Sequence, residues 1–357
     1  MTYDNTPLLS RVADAVYWLG RYIERAENVA RYIGVNLNLQ LDLPGDPAHQ
    51  WQPLIDTTGD TEAFAKRYGD ATQARVIEFL AYDNENPNSI SSCLRNAREN
   101  ARSVRETISS EMWAQINNMY LQIQSQSSMP EPERLLDAFR EIRLGCHLFQ
   151  GVTDATMTHN EPYHFLRLGR KLERADKTSR ILDVKYFILF PSAARDVGTP
   201  YDDIHWAAVL KSVSGFEMYR KRYGRIAPRD VVDFLVMDRD FPRAIHYAIC
   251  SANDSLHAIT GTPSGYYQYR CEQLMGQLSG ELDYASTDAI ISEGLHEYLD
   301  GLQSKMNLID STMREEFISR EGSQAQSQSQ SQSQSQSQSQ SQSQSQSQSQ
   351  SQSQRQI

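Results

Sequence analysis

Apolar residues recur at every third and fourth position along most of this chain, and the strict alternation of a half-buried strand is nearly absent. Between residues 19 and 37 the stripe reads Leu19, Ile23, Ala26, Ala30, Ile33 and Leu37, steps that put all six on one helix face. The same periodicity predicts helices over 9–40, 61–82, 89–108, 110–125, 131–158, 162–190, 202–223, 229–237, 242–259, 266–282 and 288–318. Punctuation agrees with this division. "LPGDP" at 43–47 closes the first helix, and "MPEPE" at 129–133 places prolines in the first turn of the fifth. "PRDVVDFLV" and "DRDFPRAIHYAI" likewise offer Asp or Pro where a helix starts. The predicted fold class is all-α, a large helical bundle.

One phrase is written twice. "LGRYIERAEN" at 19–28 returns as "LGRKLERADK" at 168–177, and the longer segments 19–35 and 168–184 share eight of 17 positions. The apolar stripe returns with it, as Leu168, Leu172, Ala175, Ser179, Leu182 and Tyr186. Two copies are too few for a solenoid. A bundle built from two related halves, 7–158 and 159–318 within a domain spanning 1–320, accounts for the repeat. Residues 321–357 are almost pure Ser-Gln alternation, which buries nothing and predicts a disordered tail.

Charge and cysteine usage narrow the setting. A net charge of −10 argues against nucleic acid as a partner. "MTYDNTPLLSRVADAVYWLG" lacks the basic start of a signal peptide, and "VKYFILF" at 184–190 is too short to span a membrane. Cys93, Cys146, Cys250 and Cys271 have no CxxC spacing. The expectation is a soluble, cytoplasmic protein with free thiols and no membrane contact.

The charges of the repeated phrase pose the chemical question. At about 100° per residue, Arg21, Glu24, Arg25 and Arg31 lie opposite the apolar stripe, as on a solvated face. However, Tyr17, Tyr32 and Val35 share that arc, and Leu166, Ile181 and Val184 do so in the second copy. A helix apolar on both sides is central to a bundle, and its charges must be paired. Arg21, Glu24, Arg25 and Arg31 with Arg170, Glu173, Arg174 and Arg180 are the candidate ligand-binding residues, two carboxylates among six arginines. Two readings stay open: a structural ion-pair core, or a site for an anionic small molecule or peptide. A third arginine-rich segment, with Arg95, Arg98, Glu99, Arg102, Arg105 and Glu106, reads as a solvated face.

No HExxH, Walker A loop, GxSxG elbow or strand-turn-helix GxGxxG occurs. "HNEPYH" at 159–164 reads as a loop and helix start rather than a metal site. "MDRDFPR" at 237–243 reads as an interhelix turn, with Asp238, Arg239 and Asp240 as weak candidates. No cofactor and no metal is expected, and no catalytic residue is identified.

Four ordered segments, "LSRVADAVYWLGRYIERAENVAR", "SSCLRNARENARSVRETISSEMW", "FLRLGRKLERADKTSRILDVKYFIL" and "GFEMYRKRYGRIAPRDVVDFLVMDRDFPRAIHY", together resemble the bacterial alpha-E domain family over about residues 7–318. The resemblance implies an all-helical fold whose signature positions are Arg21, Glu24 and Arg25 with Arg170, Glu173 and Arg174. It also implies association with a circularly permuted ATP-grasp amide ligase and a transglutaminase-like peptidase, and with peptide or amide biosynthesis. The expected function is a helical accessory protein that docks the ligase or presents an anionic peptide-like substrate. The alternative is an enzyme acting on a small carboxylate or peptide, with Glu24 or Glu173 as acid or base.

Two expectations follow from the repeat and the tail. A shared site requires the two motifs to meet, antiparallel or crossing, around a cleft closed by other acids or by an anion. Deleting residues 322–357 is expected to leave Tm unchanged, because Ser-Gln repeats add no apolar burial. A drop of several degrees in a thermal melt would show that the tail packs on the domain.

Overall fold

Proline and glycine positions divide the predicted helices more finely than periodicity alone. The computed structural model describes residues 8, 10–42, 47–125, 131–189 and 200–318, all helix, turn and loop without a strand among them. The Ser-Gln tail lies outside the described residues, as do most of "LPGDP" and the start of "MPEPE". The first half runs α1 (Ser10–Asp42), α2 (Pro47–Thr58), α3 (Thr61–Tyr68), α4 (Gln73–Ile77), α5 (Ile90–Ser103), α6 (Ser110–Ser125) and α7 (Leu135–Thr156). The second half runs α8 (Glu161–Leu189), α9 (Pro200–Ser212), α10 (Phe216–Tyr223), α11 (Pro228–Val232), α12 (Ile245–Thr260), α13 (Arg270–Tyr284), α14 (Thr287–Glu293) and α15 (Leu295–Phe317). Helices α4 and α11 each pass into a π-helical turn, over Glu78–Tyr82 and Asp233–Met237.

The corrections to the predicted elements have local causes. Left-handed backbone at Gly69 (φ 71°), Ser214 (φ 51°) and Gly294 (φ 110°) ends helices that periodicity had run together over 61–82, 202–223 and 288–318. Helix α2 was not predicted, because Pro53 interrupts its pattern. Its Trp51 is nevertheless fully buried.

The repeat extends well beyond the phrase. Trp51 and Trp206 are both buried, and Lys66-Arg67-Tyr68-Gly69 returns as Lys221-Arg222-Tyr223-Gly224 with both glycines left-handed. The aromatic trio Phe64, Tyr68 and Phe79 is matched by Tyr219, Tyr223 and Phe234. In α7 the buried Leu135, Phe139, Ile142, Cys146, Phe149 and Thr153 have counterparts in α15 at Leu295, Leu299, Leu302, Met306, Ile309 and Met313. The two halves match at these positions, and the buried residues of both belong to a single core.

Helices α1 and α8 are its centre. They run side by side in the same direction, since Tyr17 lies against Gly169, Arg21 meets Glu173 and Tyr32 reaches Lys177. This excludes the antiparallel arrangement and leaves the crossing one. The crossing is tight because each helix presents a glycine. A Cβ on Gly20 would lie 2.2 Å from the Leu166 carbonyl oxygen, and one on Gly169 2.3 Å from that of Tyr17. Leu166 and Tyr17 occupy equivalent positions in the repeat, so the contact is reciprocal, as across an approximate twofold axis.

Because the obstructing atoms are backbone, Gly20→Ala and Gly169→Ala should force the helices apart and each cost about 1–3 kcal/mol or more. Gly34→Ala, with nothing within 4 Å of its Cβ, should instead be neutral or stabilising by up to about 1 kcal/mol. Urea unfolding of the three variants checks this; equal effects at all three would remove the crossing argument.

Candidate functional site

Helical spacing puts Arg21, Glu24 and Arg25 on one arc of α1 and Arg170, Glu173 and Arg174 on one arc of α8; the glycine crossing brings the arcs together. Arg25 grips Glu173 with two bonds, Nε to Oε1 at 2.7 Å and Nη2 to Oε2 at 3.0 Å. Arg174 grips Glu24 in the same way, Nε to Oε1 at 2.8 Å and Nη2 to Oε2 at 2.7 Å. Each half therefore neutralises the carboxylate of the other. Planar guanidinium and carboxylate groups suit this two-bond geometry, and charge-assisted bonds of this kind are the strong ones.

The second tier of partners differs between the halves. Arg21 donates Nε to Glu173 Oε2 at 2.8 Å and Nη1 to Asp310 Oδ1 at 3.0 Å. Arg243 donates to Glu24 Oε1 at 3.0 Å and to Glu27 Oε2 at 2.8 Å. Asn88, at the matching turn of the first half, accepts from Arg25 Nη1 at 2.7 Å. Arg31 pairs with Glu27 one turn back and donates to the Ser214 hydroxyl, while Arg180 pairs with Asp176 at 3.0 Å. Arg31 and Arg180 thus serve their own helices rather than the shared carboxylates. Arg170 makes no hydrogen bond through Nε, and its ion-pair partner, Asp154 Oδ1, is 3.9 Å away.

Electrostatics follow from this packing. Glu24, Glu27 and Glu173 have no exposed surface. Burial alone would raise the Glu24 carboxyl pKa, but Arg174 and Arg243 hold it far below the usual carboxylate range. Glu173 behaves likewise under Arg25, Lys177 and Arg21. Both carboxylates are thus buried and held in the charged state by these cations. His147 is pushed down to about 4 by burial and by the nearby Arg31 and Arg243.

The candidate residues of the repeated segments hold two carboxylates against six arginines. The structure adds Glu27, Asp176 and Asp310 to the acids, and Arg243 and Lys177 to the bases. Two of these were legible: Glu27 and Asp176 are equivalent positions of the phrase, each four residues before an arginine. Arg243 sits in the "DRDFPR" turn, and that turn resembles the "DNENPN" turn carrying Asn88, a weaker likeness than that of the repeated phrase. Asp238, the candidate in the same turn, instead pairs with Arg222 and caps its own loop. The expected cleft is closed by side chains. A void of about 20 Å³ further along the two helices, lined by Tyr32, Val35, Leu39 and Ile181 among others, is room for about one water.

Elsewhere the surface reading holds for the third arginine segment. Arg98 and Arg102 pair with Glu99 at 2.9 and 2.8 Å, and Arg98 lies over Tyr120. Among the described residues no group of His, Cys, Asp and Glu could hold a metal ion, and all four cysteines are free. No described helix is long and apolar enough to cross a membrane.

Comparison with known proteins places this arrangement. Residues 8–318 match the family model named Alpha-E, described as a predicted alpha-helical domain with a conserved ER motif. The chain is 22% identical over 324 residues to the uncharacterized proteins Mb2597 of Mycobacterium bovis and Rv2567 of Mycobacterium tuberculosis. The alignments cover 83% of this chain and 35% of each relative, so the chain spans about a third of their length. No solved structure matches it.

Removing one carboxylate strands two guanidinium groups, so Glu24→Gln should cost about 3–5 kcal/mol, a fall in Tm of about 10 °C. The folded-state pKa values of Glu24 and Glu173 lie below their unfolded ones. Their stabilisation is therefore complete above the unfolded value near 4.3 and is lost as pH falls below it. Melts from pH 7 to 3 should show wild-type Tm dropping steeply below about pH 4 and a shallower decline in Glu24→Gln.

Proposed function

The chain belongs to the Alpha-E family, and from that premise we propose that it is a non-catalytic helical accessory module, one that docks an ATP-grasp amide ligase or presents that ligase's anionic peptide-like substrate. The observation that carries this reading is the internal use of the ER motif: both glutamates are fully buried and held by arginines of the opposite half. A signature spent on joining two halves supports a scaffold rather than a reaction centre.

The relatives lend support of a different kind. In each of them a region like this chain is about a third of a longer protein, so the module is there covalently joined to further sequence. Docking by association would need an exposed face. A suitable strip is available. Leu144 and Leu148, one turn apart on α7, are 54% and 56% exposed. Neighbouring exposed leucines of this kind mark interaction faces more often than scattered single ones do.

The test is to mix the purified full chain with a circularly permuted ATP-grasp amide ligase. A complex on size-exclusion chromatography and a changed rate of ATP consumption are expected. Leu144→Asp with Leu148→Asp should weaken the complex at least tenfold while leaving Tm within a few degrees. Absence of both complex and rate change would overturn the reading.

A further inference from the structure

The twofold repeat is broken at one place, and the break concentrates positive charge. In the first copy, Arg21 is neutralised by Glu173 and Asp310 and flanked by Trp18 and Tyr22. The matched burial patterns of α7 and α15 make Gln150 the counterpart of Asp310. The aligned phrase makes Arg167 and Lys171 the counterparts of Trp18 and Tyr22. The second copy has thus exchanged an acid for an amide and two aromatic rings for two cations. Glu24, the carboxylate facing it, is already occupied by Arg174 and Arg243.

The groups left behind have donors to spare. Arg170 is 8% exposed, and its buried Nε–H has no hydrogen-bond partner among the described residues. Lys171 is 5% exposed, and among the described residues no oxygen pairs with its ammonium, which sits 4.5 Å from the centre of the Tyr247 ring. Burial together with Arg174, Arg170 and Arg167 pushes the Lys171 ammonium down to about 7. Arg167, partly exposed, spends one Nη on Ser255 at 3.2 Å. The acid nearest Arg170 is Asp154, half-exposed and 3.9 Å away. Three buried or half-buried cations beside one distant, half-exposed acid are costly, and a fold that retains them has something to offset the cost.

We propose that Arg167, Arg170 and Lys171, where α7, α8 and α12 meet, form a binding site for an oxyanion, a phosphate or carboxylate group of a small molecule or peptide. The bound group takes over the neutralising role that Asp310 has in the other half. Arg170 Nε–H and the Lys171 ammonium supply the inner donors, and Arg167 guards the mouth. The Tyr247 ring gives an apolar wall on one side. This site is separate from the Glu24 and Glu173 pairs and does not depend on the ligase partnership.

The experiment is a thermal melt of the full chain in inorganic phosphate, in N-acetylglutamate, and in sodium chloride at matched ionic strength. A saturable rise in Tm of about 2 °C at tenfold excess over Kd is expected with phosphate or N-acetylglutamate but not with chloride. The more potent of the two identifies the group. Lys171→Met, which keeps the stem and removes the charge, should abolish the rise. Arg167→Gln, at the partly exposed edge, should weaken binding about tenfold and covers the case in which Lys171→Met fails to fold. Identical melts in all three salts, or a rise that both variants retain, would overturn the proposal.

Discussion

Two glutamates with no exposed surface, each held by an arginine from the other half of the chain, set the terms for everything around them. A buried carboxylate is tolerable only while its partner is present in good geometry. The geometry in turn needs the helix axes as close as two glycines allow. Gly20 and Gly169 are therefore as much part of the ion pair as the charged groups are. Around this centre the remaining helices enclose the charges on every side and supply the next partners, Asn88, Arg243 and Asp310. Polar specificity and apolar burial cooperate here: the hydrophobic core excludes water from the pairs, and the pairs fix the register of the core.

Reciprocity constrains sequence as well as structure. In a strictly symmetric dimer of half-chains, every substitution would appear on both sides of the axis. A single chain carrying both halves is free to change one side alone. The turn that supplies Asn88 on one side supplies Arg243 on the other, and the helix that supplies Asp310 on one side supplies Gln150 on the other. These exchanges convert a balanced arrangement into one that is neutral near Glu173 and cationic near Glu24.

Much of this was legible in the sequence, for physical reasons. Periodicity of three and four exposed the helical class, and apolar residues on both arcs of "LGRYIERAEN" showed that its charges had to be buried and paired. The repeat showed that two such helices existed. Less legible were features depending on single backbone angles or long-range register. Ser214 gives no advance sign of a left-handed conformation, and Pro53 disguised α2. The role of Arg243 depends on a turn 219 residues from Glu24, which only a faint second repeat hinted at. The eight proposed site residues were partly redistributed, because pairing within a helix claimed Arg31 and Arg180.

The direction of the two central helices carries a consequence for synthesis. Helix α1 emerges from the ribosome first, and its reciprocal partner begins 151 residues later, at Glu161. At about 5–20 residues per second, that gap lasts roughly 8 to 30 s. Throughout it Glu24 and Glu27 have neither Arg174 nor Arg243 available, so α1 has no stable way to bury its charged arc. The nascent first half must keep that arc in water, with the apolar residues beside it uncovered, until translation has passed Arg243. The long sequence separation of the pairs thus becomes an interval of exposure for the growing chain.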